Sequence, residues 1–555
     1  MKSFPKIRYA ALLWLVACWW ALPVEAQRRA PKRHAVVFAV ASLDEQFADL
    51  LYLAQVAAVP EAALFVPFLK AEFAKGIDMT KPIGAYMHPT EKKPHEFVWF
   101  IPVTNFDGLL NVFGQGRQKE DVGNGVFKIS PVVVDGQFAK VERGYAFFSN
   151  NIKRLAALPM APAAELGGLD KTYNFAAQFN MQKLSVKDKT EFVESLTEGF
   201  GDAVNLLDNI HRGADDLVKQ FGTGILGTAT RLIHETDLIL LGLAVDSERK
   251  RVYLDFDVTG TKGSQLTRQL ERLREAKSKF AGFIFDDALL NFNFIETIPK
   301  ADVELYKTTL AAIRAQLSKG LLNNVNNDQR AAVEELLKTV FASLDKTAEG
   351  GKFDAGGAVV LSPKNRLTAV VGVSVQDTAG LEDALKKAVL GLFRANEDRP
   401  ALKLNSATHR NIRFHTLTIP LPNDDLTQKL FGKQTDLVVG FGNEAVYLAI
   451  GEAGLTTLKR AIDQSAGLVN KVVPAVRVQV SVGSLLKLTA MMNNLPELEK
   501  LVDGEIAGGH RDKVSLTTKS IPRGMTARIQ VDEGVIRIIG RAARQGFPAA
   551  DAGIE

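Results

Sequence analysis

The feature that most limits what this chain can fold into is that its pattern is written twice. Residues 97–112 read FVWFIPVTNFDGLLNV and residues 370–384 read VVGVSVQDTAGLEDA. Setting Ile101 on Val373 puts Leu109 on Leu381, and both stretches read as a buried strand, a polar turn and a helix. A shorter strand precedes each, at 84–89 and 357–363, and helical patterns starting at Glu61 and Arg330 precede those. Downstream, AAQFNMQKLSV from Ala176 resembles RVQVSVGSLLKL from Arg477, and the stretch from Leu241 resembles that from Ala527. Identity is low at each match, so the shared order carries the argument.

Local chemistry types the elements. Ser42-Leu43-Asp44-Glu45 is a capping box, and Phe47, Leu50, Leu51 and Ala54 follow at helical spacing. Val252, Leu254, Phe256 and Val258 alternate with Tyr253, Asp255 and Asp257, which predicts a strand with its apolar row on a core and its carboxylates in water. Turns are predicted at residues 246–250, at Asp286-Asp287 between AGFIF and ALLNFNFI, and at Asp532-Glu533-Gly534. Strands joined by tight turns and interleaved with helices predict an α+β fold of two tandem similar lobes, each a mainly antiparallel sheet covered by helices on one face. The boundaries follow: a signal peptide at 1–26, a basic linker at 27–34, a first repeat at 35–278, a second at 279–545 and a tail at 546–555.

The first residues have the parts of a secretory leader. Lys2, Lys6 and Arg8 precede an apolar run from Tyr9 to Leu22, and Pro23 and a small-residue site ending at Ala26 follow. That run of 14 residues is shorter than the ~20 a bilayer span requires. Cleavage between Ala26 and Gln27 is the expected processing. Lipidation at Cys18, the only cysteine, is the alternative, disfavoured because Trp19, Trp20 and Leu22 after it would not leave a bilayer. The location is therefore extracytoplasmic, periplasmic or secreted. A mature chain without cysteine excludes thiol nucleophiles, thiolate zinc sites and iron–sulfur clusters. The formal net charge of +5 is too small for its length to indicate a nucleic-acid partner.

This order of elements, with the phrase Gly76-Ile77-Asp78-Met79-Thr80-Lys81-Pro82-Ile83-Gly84 ahead of the first strand pair, resembles a group of exported bacterial proteins with a duplicated α+β unit. The resemblance implies export and brings no catalytic residue.

The motifs are weak. Residues 222–227, GTGILG, spell a dinucleotide fingerprint, but helix precedes them where the mechanism needs a strand, so no nucleotide cofactor is expected. Ser484-Leu485-Leu486-Lys487 matches the S-x-x-K of serine hydrolases without its S-D-N and K-T-G partners, so Ser484 reads as a helix cap. The histidines His34, His88, His95, His211, His234, His409, His415 and His510 contain no i, i+4 pair, and no metal site is expected. Asp255 and Asp257, with Asp246, are a candidate cation site set against simple solvation. Arg523, Arg528, Arg537, Arg541 and Arg544 crowd the last elements and are a candidate anion patch, facing an anionic envelope surface. Thirty-two Phe allow an apolar cleft.

The reading is an exported, non-catalytic protein with a binding or envelope-interaction role and no transmembrane span in its mature chain. The alternatives are a lipid or small-ligand carrier using a cleft between lobes, and a serine hydrolase built on Ser484 and Lys487. N-terminal mass analysis of the exported protein is expected to give a chain beginning at Gln27; a lipid-modified Cys18 would overturn this.

Overall fold

A computed structural model describes residues 34–544 apart from 89–95, 115, 135, 192–193, 195–232, 323–326, 363, 393–400 and 508–510. The fold is α+β, dominated by one antiparallel sheet of twenty strands. The strands are β1 (Val36–Val40), β2 (Ile83–His88), β3 (Glu96–Pro102), β4 (Gln118–Asp121), β5 (Val126–Val133), β6 (Gly136–Glu142), β7 (Tyr145–Ser149), β8 (Phe175–Asn180), β9 (Thr236–Asp246) and β10 (Arg251–Gly260), then β11 (Ala288–Thr297), β12 (Lys352–Leu361), β13 (Leu367–Ser374), β14 (Ala401–His409), β15 (Ile412–Pro420), β16 (Gln434–Phe441), β17 (Ala445–Ile450), β18 (Val476–Ser481), β19 (Lys513–Ile521) and β20 (Gly524–Asp532). The helices are α1 (Leu43–Val56), α2 (Ala62–Ala74), α3 (Phe106–Val112), α4 (Gln265–Arg272), α5 (Val303–Leu322), α6 (Asn327–Glu349), α7 (Thr378–Leu392), α8 (Asp425–Phe431), α9 (Gly454–Ala466), α10 (Val482–Met492), α11 (Pro496–Ala507) and α12 (Glu533–Arg544).

Hydrogen-bonded neighbours run β4-β5-β6-β7-β3-β2-β1-β8-β9-β10, then β20-β19-β18-β11-β12-β13-β17-β16-β15-β14. The pairing order of the first ten strands therefore recurs in the second ten, and the two sets join through β10 and β20. Register recurs as well. Gly84 stands opposite Phe100 and Gly356 opposite Gly372. Pro102 stands opposite Tyr145 and Ser374 opposite Ala445. After β3, Asn105 caps α3 by accepting from Gly108 N at 3.0 Å; after β13, Asp377 accepts from Gly380 N at 3.1 Å. Leu109 and Leu381 are both buried.

Each face of the sheet has its own core. One face packs on α1, α2 and α3 through Phe47, Val66, Leu109 and Leu110 and, in the second half, on α6 and α7 through Val340, Leu344, Leu381 and Leu385. On the other face, Phe280, Phe283 and Leu458, Ala461 and Ile462 of α9 cover Val370, Phe414 and Val438. Helices therefore lie on both faces of the sheet, not on one as the strand pattern alone predicts. The reason is that long central strands such as β13 are apolar on both sides, with Val370 in one core and Val373 against the other.

Several local readings hold and others do not. Ser42 Oγ accepts from Glu45 N at 3.3 Å, starting α1, and residues 247–250 turn β9 into β10. AGFIF is no strand: residues 281–283 form a 3-10 turn whose Phe280 and Phe283 plug the core. Asp532-Glu533-Gly534 is the junction into α12; the hairpin of the second half is β19–β20, turned at Pro522-Arg523.

The largest correction concerns β10. Asp255 is 0% and Asp257 1% exposed, whereas Phe256 is 36% exposed, so the carboxylate row is the inner one. The cause is β20, which pairs along β10 from Arg251↔Asp532 to Thr259↔Gly524 and brings its own polar side chains. Arg528 donates Nε to Asp255 Oδ1 and Nη2 to Oδ2, both at 2.6 Å, and its guanidinium lies 3.8 Å from the Tyr253 ring centre. Thr526 donates to Asp257. Helices brace the same join: Tyr52 of α1 donates to Glu533 of α12 at 2.9 Å, and Gln269 of α4 donates to Asp302, just before α5, at 3.4 Å.

Leaving one charge buried without its partner costs about 3–5 kcal/mol. Arg528→Ala is therefore expected to destabilise the chain by about that amount in urea unfolding. The exchange D255R/R528D is expected to recover much of the loss seen in either single variant; additive losses would remove Asp255–Arg528 as the centre of the join.

Candidate functional site

The residues singled out in the sequence do not converge. Ser484 lies inside α10, and the cap is Ser481, whose Oγ accepts from Ser484 N at 3.0 Å and donates to Asp512 at 2.5 Å. The Ser484 hydroxyl lies 2.8 Å from that of Ser481. Lys487 Nζ turns to Asp503 at 2.8 Å and Glu499 at 3.9 Å. Nucleophile and base do not meet, and the S-x-x-K spelling marks a helix start.

The five arginines do not make one patch either. Arg523 reaches Asp237 at 3.0 Å, Arg528 holds Asp255, Arg537 holds Glu533 at 2.5 Å, Arg541 pairs with Glu505, and Arg544 lies 3.4 Å from Glu61. Each spends its charge on a carboxylate, which for Arg537 lies one turn back in its own helix. Residues 222–227, His95, His211, His510, Cys18, Ala26 and Gln27 lie outside the described residues.

Three of the described histidines pair with carboxylates. His34 pairs with buried Glu165 at 2.7 Å and stacks on Tyr86; His409 meets Asp463 at 2.9 Å. His415 Nδ1 accepts from Asn405 N at 3.0 Å, so its Nε2–H points to Glu382 at 3.2 Å. Arg413, with Lys386, holds the Glu382 carboxyl at about 2, below its ordinary 4.5, while burial keeps His415 below its ordinary value. Among the described residues no three His, Cys, Asp or Glu side chains gather as metal ligands, and no helix is long and apolar enough to cross a membrane.

A cavity of about 610 Å³ opens over β18, β19 and β20 on the face that carries Asp255. Its volume lies within the ~300–1,000 Å³ of small-molecule sites. Antiparallel pairing sets its floor as a grid. Arg477 stands opposite Thr517, and Thr517 opposite Arg528; in the next row Gln479 stands opposite Ser515, and Ser515 opposite Gln530. Leu273, Val472, Val473, Pro474, Ala475 and Met525 form an apolar rim, and Arg274 comes from the segment after α4.

Arg274, Arg477, Lys519 and Arg528 line this cavity, and no Asp or Glu does. Arg528 is already matched by Asp255, and Gln530 is taken by Arg251 at 2.9 Å and Asp532 at 2.8 Å. Arg477 differs. Its guanidinium is half-buried, and its hydrogen bond is a long one of 3.4 Å to Gln479. Among the described residues no carboxylate lies within ion-pairing distance of it. Burial pushes its pKa down, opposed by the more distant Asp286. An arginine remains a cation under such pressure, so Arg477 carries an uncompensated charge beside the hydroxyls of Ser515 and Thr517.

The same face in the first half is closed. There the strand positions hold Ala176, Leu240 and Gly242 in place of Arg477, Ser515 and Thr517. Tyr173, two residues before β8, lays its ring on Gly242, where a Cβ would meet ring atoms at 2.7–3.0 Å. Two residues before β18 stands Pro474, which lines the open cavity. The sequence signal was present in RVQVS, where Arg477 and Gln479 take the places of Ala176 and Gln178, but the similarity hid the difference.

No protein-family profile, curated protein or solved structure matches this chain.

Two outcomes follow. Ser481→Ala is expected to cost about 1 kcal/mol of stability, and Ser484→Ala less, with no fluorophosphonate labelling of the wild-type protein; covalent labelling lost in Ser484→Ala would restore the hydrolase. Because the folded pKa of Glu382 lies below its unfolded value, its contribution is full above pH ~4.5 and is lost as pH falls through about 2. In Arg413→Ala, acid unfolding followed by circular dichroism is expected to begin at higher pH.

Proposed function

We propose that this chain is an extracytoplasmic, non-catalytic binding protein, built from two copies of one α+β unit, that holds an anionic group on the open face of β18–β20. The observation that carries this reading is Arg477, a half-buried cation facing a cavity lined by no carboxylate. An anion there would supply the missing partner and form the strong, charge-assisted class of hydrogen bond. The polar floor speaks against a lipid carrier, whose acyl chain needs apolar walls throughout. The separation of Ser484 from Lys487 speaks against the hydrolase.

The recurring strand order and register support the duplication, and the open and closed faces are then a divergence between copies. An experimental structure is expected to superpose residues 35–278 on 279–545 with Ile101 on Val373 and Leu109 on Leu381. The compartment rests on the leader pattern at residues 1–26.

The binding reading is tested by melting the protein in a panel of sulfate, phosphate, citrate and glucuronate at constant ionic strength. At least one anion is expected to raise the melting temperature of the wild type and to lose that effect in Arg477→Gln. Equal responses in both proteins would end the assignment.

A further inference from the structure

We infer that the group held on Arg477 is the carboxylate of an acidic sugar, a hexuronate unit or short oligomer of one; this rests on the binding reading above and names its ligand class. The choice is made by what surrounds the cation. A phosphate ester brings a charge near two and three acceptor oxygens, and proteins meet it with several unspent cations, a helix N-terminus or a nest of backbone amides. The floor here is made of strands whose backbone amides point along the sheet into the β18–β19 and β19–β20 ladders. Of its two floor arginines, Arg528 is matched by Asp255. Arg274 and Lys519 also line the cavity, Arg274 from the segment after α4, but on the floor itself what remains is one planar guanidinium, the partner of a single carboxylate.

The neighbours of Arg477 suit hydroxyl groups. Ser515 and Thr517 hydroxyls have no side-chain partner among the described residues and can each donate and accept. Gln479 engages Arg477 through Oε1, which leaves its NH₂ as a donor. Groups that both give and receive are what a ring of sugar hydroxyls requires. The apolar rim at Val472, Val473, Pro474 and Met525 offers contact for the C–H face of the ring. A fatty acid would satisfy Arg477 but would lay its chain over Thr517 and Ser515 and strand their hydroxyls. A neutral sugar would satisfy the hydroxyls and leave the cation unmatched. The acidic sugar answers both. The closed face over Tyr173 and Gly242 adds a stoichiometry: one ligand per chain, although the strand pattern occurs twice.

Calorimetric titration of the full chain with digalacturonate, maltose and glucose 6-phosphate tests this. Digalacturonate is expected to bind at one per chain, with maltose at least tenfold weaker. Arg477→Gln is expected to lose at least tenfold in affinity, and Arg477→Lys to fall between, because an ammonium keeps the charge and loses the two-pronged geometry. Melting temperatures of both variants within a few degrees of the wild type establish that the loss is not unfolding. Tighter binding of glucose 6-phosphate than of digalacturonate would overturn the sugar-acid assignment and leave the anion site standing. So would stabilisation by simple anions with no binding of either sugar. Unchanged binding in Arg477→Gln, two ligands per chain, or silence in both the titration and the melting panel would overturn the site itself.

Discussion

Everything in this molecule hangs on the pairing of β10 with β20. It joins two ten-strand arrays into one sheet, and at its middle stands Asp255 against Arg528. In the recurring register these two occupy corresponding places: Asp257 is opposite Leu240 and Gln530 opposite Ser515, with Leu240 and Ser515 each next to the Gln of the preceding strand. A self-pairing edge would set like residue against like. Here the meeting residues have opposite charge, so the join accepts only the other half. Burial sharpens that choice, because a mismatched pair would leave a charge without water or partner.

The join also bears on the proposed ligand site. Strands central in a sheet have no free backbone groups to offer, so recognition must come from side chains on a face. One half covers that face with a tyrosine on a glycine; the other leaves a proline at the rim and polar side chains on the floor. The two faces thus differ by side chains on strands paired in the same order, and not by a new element.

How much of this was legible depended on range. The cap at Ser42, the turn at residues 247–250 and the strand-turn-helix at Leu109 and Leu381 rest on contacts within a few residues, and the sequence states them. The inner face of β10 rests on β20, whose Arg528 is 273 residues away from Asp255, and alternation alone chose the wrong side. Ser484 and Ser481 differ by one turn, and only Asp512 from the loop before β19 tells which one caps. The five arginines looked like a surface because four of their carboxylates are distant in sequence, from β9, β10, α11 and Glu61 just before α2; only Arg537 finds its partner within its own helix. Arg477 was invisible for the converse reason: among the described residues no carboxylate pairs with it, and a missing partner leaves no mark in a sequence.

The join has a consequence for the order of folding. When the first half leaves the ribosome, β10 is complete, but its outer neighbour is β20, whose Arg528 lies 273 residues beyond Asp255. Until β20 arrives, an edge bearing Val252, Leu254, Phe256 and Val258 stands open, with a carboxylate row on its other side. Unpaired edges of that kind recruit other chains. Among the described strand pairs this one spans the widest separation in sequence, 273 residues at Asp255 and Arg528, so its closure entropy is the largest. The late step that completes the molecule is therefore also its window for misassembly, and Asp255 is the gatekeeper that makes an identical edge an unwelcome substitute.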